Sequence, residues 1–228
     1  MAYGTIPPGS GGTSGGVEWG RPDGEVEGGR APLAHTPRDP LRVVAVAGSL
    51  RRSSYNRSLL RAAQGLRPAQ LLLEIHHLDG IPLFNEDVER DEIPPAVAHL
   101  RDAVAGADGF LVATPEYNRG VPGVMKNAFD WLSRPAGESV LEGKPAGIMG
   151  ATPGSSGTAY AQSELRRLFA FTDTPVMMRP EVLVARAQKK FDAEGRLTDA
   201  PTRAVVTAFL EQFAAWIVRH DAGRAAHV

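Results

Sequence analysis

The chain has 228 residues, of which 25 are Lys or Arg, 26 are Asp or Glu and none is Cys. That length points to one domain or a small pair, and the balanced charge supplies no field that would select nucleic acid or an anionic membrane as partner. The missing cysteines exclude disulfides, iron–sulfur clusters, Cys-ligated zinc and a thiol nucleophile, so redox chemistry would need a bound cofactor.

Residues 1–40 hold 10 of the 25 Gly and 6 of the 18 Pro. This composition predicts a disordered extension, followed by a folded domain over 41–220 and a short flexible tail over 221–228. The extension lacks the basic start and apolar run of a signal peptide, and nothing later reaches the ~18 consecutive apolar residues of a membrane span. The expectation is a soluble, cytoplasmic protein.

From Leu41 short apolar runs alternate with amphipathic segments, the pattern of βαβ units around a parallel sheet. Strands are predicted at Arg42–Ala47, Leu71–His76, Gly109–Thr114 and Pro145–Gly150, with a weaker fifth at Pro175–Met178. Continuous apolar runs of this kind suit strands covered on both faces. Helices are predicted at Ser58–Gln64, Ala96–Ala105, Val124–Leu132 and Ala161–Phe169. A last helix is marked by Val206, Phe209, Leu210, Phe213, Trp216 and Ile217 on one stripe. The acidic run from Glu86 to Glu92 reads as a solvated loop, with Ile81 to Phe84 before it as an alternative wall for a cleft.

In an open parallel sheet ligands bind beyond the carboxyl ends of the strands. After the first strand, Gly48-Ser49-Leu50-Arg51-Arg52-Ser53-Ser54-Tyr55-Asn56 brings hydroxyls, an amide and guanidiniums to a helix N-terminus. Free N–H groups and the helix dipole there favour an anion such as a phosphate, although the serine alone would serve as a cap. After the third strand, Pro115 to Gly123 forms a shape-restricted loop whose Tyr117 and Asn118 suit stacking on, and hydrogen bonding to, a planar ring. After the fourth, Gly150 to Gly157 is rich in small residues that let a flat ligand approach the backbone. Three such loops at strand ends fit FMN at the switch point of a flavodoxin-like, three-layer α/β/α sandwich with a five-stranded parallel sheet.

The segments GSLRRSSYN and TPEYNRGVPGVMKNAFDWLSR, with the later QKKFDAEGRLTD, resemble in order and spacing the NADPH-dependent FMN reductase family, in particular its quinone and chromate reductase branch. The resemblance spans about Val43 to Ile217. It implies non-covalent FMN, NADPH as electron donor, a small-molecule acceptor, and a homodimer or homotetramer. Position by position, Ser49, Arg51, Ser54 and Asn56 match the phosphate-loop motif, and Pro115, Glu116, Tyr117 and Asn118 match the flavin-ring loop. Arg52, Ser53 and Arg119 fall at variable positions of the pattern, Arg119 within reach of dinucleotide phosphates.

Other chemistries lack their residues. Gly137 to Pro145 departs from a phosphate-binding P-loop in its spacing, in Pro145 where Ser or Thr is needed, and in preceding a strand. The Ser155-Ser156 pair is no nucleophile elbow, and the histidines show no zinc-binding spacing. The expected activity is therefore electron transfer from NADPH through FMN to quinones, azo compounds, chromate or free flavin, with no catalytic side chain. An electron carrier serving a protein partner and a non-catalytic flavin-binding module are the alternatives; the balanced charge disfavours a carrier's acidic docking face.

Overall fold

The computed structural model describes residues 40–225, so the expected extension at 1–40, except its last residue, and the end of the expected tail lie outside the described residues. In chain order the elements are β1 (Leu41–Ala47), α1 (Tyr55–Leu66), β2 (Leu71–His76), α2 (Glu86–Asp91), α3 (Pro95–Ala105), β3 (Gly109–Ala113), α4 (Gly123–Leu132), β4 (Ala146–Ala151), α5 (Ala159–Phe171), β5 (Val182–Val184), a 3-10 turn (Ala187–Lys189) and α6 (Ala200–Ala225). The five strands are parallel, in the order β2-β1-β3-β4-β5. This is the flavodoxin-like winding, whose reversal between β1 and β3 opens a crevice at their carboxyl ends.

Side-chain alternation along β1 divides the core in two. Val43, Ala45 and Ala47 face a layer that includes Leu59 and Leu60 of α1 and Phe209 and Phe213 of α6. Val44 and Val46 face the opposite layer, with Leu100 of α3, Met125 and Phe129 of α4, and Leu165 and Phe169 of α5. A strand buried on both faces reads as an unbroken apolar run, which is why β1, β3 and β4 were recognisable. The stripe predicted for the last helix is the buried face of α6.

Two expectations are corrected. The fifth strand lies at Val182–Val184, not at Pro175–Met178. The earlier segment makes one isolated bridge, Val176 to Ala146, in which Pro175 O accepts from Ala146 N at 2.9 Å and Met177 N donates to Ala146 O at 2.8 Å, and Trp216 Nε1 donates to the same Pro175 carbonyl at 3.1 Å. The ladder on the outer edge of β4 begins only where Val182 pairs with Met149. The acidic run is helical rather than a loop: the Asn85 side chain caps α2 by accepting from Asp87 N at 2.9 Å, and Glu86, Asp87 and Glu89 occupy the dipole-favoured first turn. Glu89 is not solvated, since Arg134 donates to its Oε2 at 3.0 Å. The Ile81 to Phe84 stretch is tied down beside it. Asn127 Oδ1 accepts from Phe84 N at 2.8 Å, and Asn127 Nδ2 and Trp131 Nε1 both donate to Pro82 O, at 2.7 and 2.8 Å.

Candidate functional site

The three loops singled out above converge at the carboxyl ends of β1, β3 and β4. Ser49, Arg51, Ser54, Tyr55 and Asn56 from the first, Pro115, Glu116 and Tyr117 from the second, and Ala151, Thr152 and Pro153 from the third line one cavity of about 310 Å³. That volume is at the lower end of the ~300–1,000 Å³ used by small-molecule sites.

The first loop presents hydrogen-bond donors at a helix N-terminus. Ser54 caps α1, its Oγ accepting from Asn56 N at 3.2 Å and Arg57 N at 3.4 Å. The N–H groups of Arg52, Ser53 and Tyr55 donate to no acceptor among the described residues, which leaves them available to an anion at the positive end of the helix. Arg57 holds the loop from behind, donating to Leu50 O at 3.3 Å and ion-pairing with Asp79 at 2.7 Å. Ser49 is buried, whereas the Arg51 guanidinium is exposed and donates to Ser53 O at 3.1 Å.

Asn56, expected in the phosphate-loop motif, lines the cavity and also ties two loops together. Its side chain is buried and makes a reciprocal pair with the backbone of Ala151: Nδ2 donates to Ala151 O and Oδ1 accepts from Ala151 N, each at 2.9 Å. The first loop is thereby locked to the root of the third. A side chain at Gly150 would destroy this junction, because its Cβ would lie 2.6 Å from Thr114 O and 2.0 Å from Thr158 Oγ1.

Glu116 makes the corresponding link from the second loop. Thr158, the residue preceding α5, has a left-handed backbone and makes no side-chain cap. The Glu116 carboxylate supplies the cap instead, accepting from Tyr160 N at 3.0 Å, Ala161 N at 3.2 Å and Ser156 Oγ at 2.8 Å. A negative charge at a helix N-terminus is favoured by the dipole as well as by the bonds. Glu164, one turn into α5, accepts from Val121 N at 2.8 Å, so two carboxylates clamp the Pro115 to Val121 segment.

Tyr117 and Gly120 exchange backbone hydrogen bonds of 3.2 and 2.9 Å around Asn118 and Arg119, whose φ angles are 51° and 60°. Asn tolerates that conformation, but an arginine in it is strained. The Arg119 guanidinium lies 5.1 Å from the centroid of the Tyr160 ring. Asn118 is therefore at the turn tip and not in the cavity lining, while Tyr117 is half exposed at its rim. Sequence reasoning missed Tyr55, Tyr160 and Glu164. The last two sit on a helix more than forty residues downstream of the loop they support, and no local pattern announces that contact.

Comparison with known proteins agrees with this geometry. Residues 41–189 match the family described as NADPH-dependent FMN reductase. The chain is 45% identical over 181 residues to an NAD(P)H-dependent FMN reductase of Pseudomonas aeruginosa, covering 79% of this chain and 97% of the relative. It is 41% identical over 177 residues to a 2-hydroxy-1,4-benzoquinone reductase of a Burkholderia species, covering 78% and 96%. Among solved structures it resembles the flavoenzyme NAD(P)H:(acceptor) oxidoreductase FerB of Paracoccus denitrificans, with a TM-score of 0.73 and 36% identity over 79% of this chain and 98% of that one.

Proposed function

Because this chain belongs to the NADPH-dependent FMN reductase family, we propose that it is a flavin-dependent oxidoreductase that carries electrons from NADPH to quinones and related small acceptors. The observation that carries this reading is the convergence of an anion cradle, a ring-sized cleft and a small-residue loop on one cavity at the β1/β3 switch point.

The residues present fit FMN. The unengaged N–H groups of Arg52, Ser53 and Tyr55, with the Ser49 hydroxyl and the Arg51 guanidinium nearby, are donors for a phosphate dianion. Pro115 and Tyr117 offer an apolar wall and an aromatic edge for a flat ring. Bound FMN supplies the redox chemistry, accepting a hydride from the nicotinamide and releasing electrons to the acceptor.

The protein's part is positional. Asn56 and Glu116 hold the three loops in register, which fixes where the ring and the phosphate would sit. No side chain need gain or lose a proton in this scheme, and none is assigned as catalytic.

Residues 41–220 are assigned as the reductase domain. Quinones are the favoured acceptors because several relatives, at 37–42% identity, are quinone reductases; azo compounds, chromate and free flavin remain secondary acceptors. Self-association into a homodimer or homotetramer is proposed from the resemblance of the sequence to its family. Among the described residues no helix is long and apolar enough to cross a membrane; the cytoplasm is the location proposed for the enzyme.

The test is steady-state kinetics of the FMN-loaded chain with NADPH and 1,4-benzoquinone. Alternating half-reactions predict parallel double-reciprocal lines. A chain that retains FMN but oxidises NADPH with no small acceptor is a carrier or binding module instead.

A further inference from the structure

Behind the flavin cavity lies a second cleft that the proposed reaction has not yet used. It measures about 480 Å³ and is bounded by Arg51, Arg52, Tyr55 and Arg61 on one side and by the Asp192 to Gly195 turn on the other. Arg51 and Tyr55 line both cavities, so the two are neighbours across a single wall.

The turn belongs to a short antiparallel pair in which Phe191 bridges Leu197. It rests on α1 through the Phe191 ring, 5.5 Å from that of Tyr55, and through Gly195. Gly195 has a φ of +76°, and a Cβ there would lie 2.7 Å from Ser58 Oγ, so only glycine lets the backbone approach this closely. The width of the cleft is thereby set.

Its charge is net positive. The two carboxylates in the lining, Asp192 and Glu194, are both taken by Arg196, at 2.7 and 3.1 Å. The backbone and side chain of Arg196 hold Asp192 below its ordinary carboxylate range, so it stays ionised and paired. Arg51, Arg52 and Arg61 make no ion pair among the described residues. Arg61 donates to Ser58 Oγ at 2.8 Å, which steadies its guanidinium and leaves most of its N–H groups free. A narrow cleft lined by unpaired guanidiniums concentrates positive potential and favours a phosphate dianion, which Arg binds through paired N–H donors.

We propose that this cleft takes the 2′-phosphate of the adenosine ribose of NADPH, held by Arg52 and Arg61, and so distinguishes NADPH from NADH. The assignment rests on the reductase reading, which supplies a nicotinamide dinucleotide to the adjoining cavity. The flavin phosphate keeps the mouth of α1, and Arg119 points to the Tyr160 ring on the second loop.

The experiment is calorimetric titration of the FMN-loaded protein with 2′,5′-ADP and with 5′-ADP, for the parent, Arg52→Ala, Arg61→Ala and the double variant. The parent should bind 2′,5′-ADP at least about 10-fold more tightly, and each substitution should weaken that ligand about 10-fold, with Arg61→Ala leaving 5′-ADP and FMN within about two-fold. In Arg61→Ala the kcat/KM for NADPH should fall by a similar factor, with that for NADH unchanged. Equal affinity for the two ADPs in the parent, or parallel losses for NADPH and NADH in Arg61→Ala, would overturn the assignment. A protein that separates the two ADPs but does not oxidise NADPH would keep the cleft and lose the reductase reading.

Discussion

Replacing Asn56 by alanine removes both partners of the Ala151 peptide at once. Its N–H and C=O each lose a 2.9 Å bond to Asn56, whose side chain is 98% buried, with a relative exposure of 2%. An unsatisfied buried backbone group costs about 1–3 kcal/mol, so Asn56→Ala should destabilise the apoprotein by about 2–5 kcal/mol. At ~2–4 °C per kcal/mol for a chain of this size, the melting temperature should drop by roughly 5–15 °C. Urea denaturation of the FMN-free protein reads the first quantity, and flavin fluorescence quenching reads the accompanying loss of FMN affinity, expected to be about 10-fold as the first and third loops lose register. Asn56→Asp sharpens the test. An ionised carboxylate can accept from Ala151 N but opposes Ala151 O, so its folded-state pKa should be raised above the unfolded ~3.9. A raised carboxyl pKa penalises the folded state above the unfolded pKa, so this variant should recover toward the parent as pH falls from 7 to about 4. An Asn56→Ala protein within about 0.5 kcal/mol of the parent, or an Asn56→Asp defect that is flat with pH, would refute the locking role.

Arg51→Ala should weaken FMN binding by about 10-fold without changing the melt of the apoprotein, since the guanidinium is exposed and makes one backbone contact; unchanged flavin affinity would remove Arg51 from the cradle. Arg119→Gly should stabilise the apoprotein by about 1 kcal/mol in the same urea assay, because glycine carries no penalty at a φ of 60°, and a loss of stability would show that the contact with Tyr160 outweighs the strain. Burial, and then the neighbouring His99 ring 5.4 Å away, lower the pKa of His76. The unfolded chain therefore binds the proton more readily, so stability is full above about pH 6.5 and falls as pH drops through the lower folded value. His99→Gln should soften that acid loss, and an unaltered pH profile would contradict the coupling.

The parts of the fold that were legible in the sequence are those whose signal is local. β1, β3 and β4 are buried on both faces and announce themselves as apolar runs, and Phe209, Phe213 and Ile217 mark the buried face of α6 by spacing alone. β5 is hard to place because it has only three residues and follows an apolar segment that makes a single bridge to β4. The run at α2 carries two signals at once, an Asn85 cap with acids behind it that marks a helix start and a charge density that suggests a solvated loop, and the structure follows the first. Of the site, Ser49, Arg51, Ser54, Pro115, Glu116 and Tyr117 could be gathered because glycine and proline punctuate the loops that carry them. The division of labour within the site was not legible. Whether an Asn side chain meets a ligand or a peptide 95 residues away depends on which strand lies alongside, and Glu116 caps a helix that begins 43 positions later.

The most direct test of the central claim is the visible spectrum of the purified protein reconstituted with FMN, recorded without oxygen before and after NADPH and again after a quinone. The account predicts oxidised-flavin bands that bleach with NADPH and return with the quinone. Bands that NADPH leaves intact would contradict the reductase reading, and a protein that takes up no FMN would contradict the three-loop site itself.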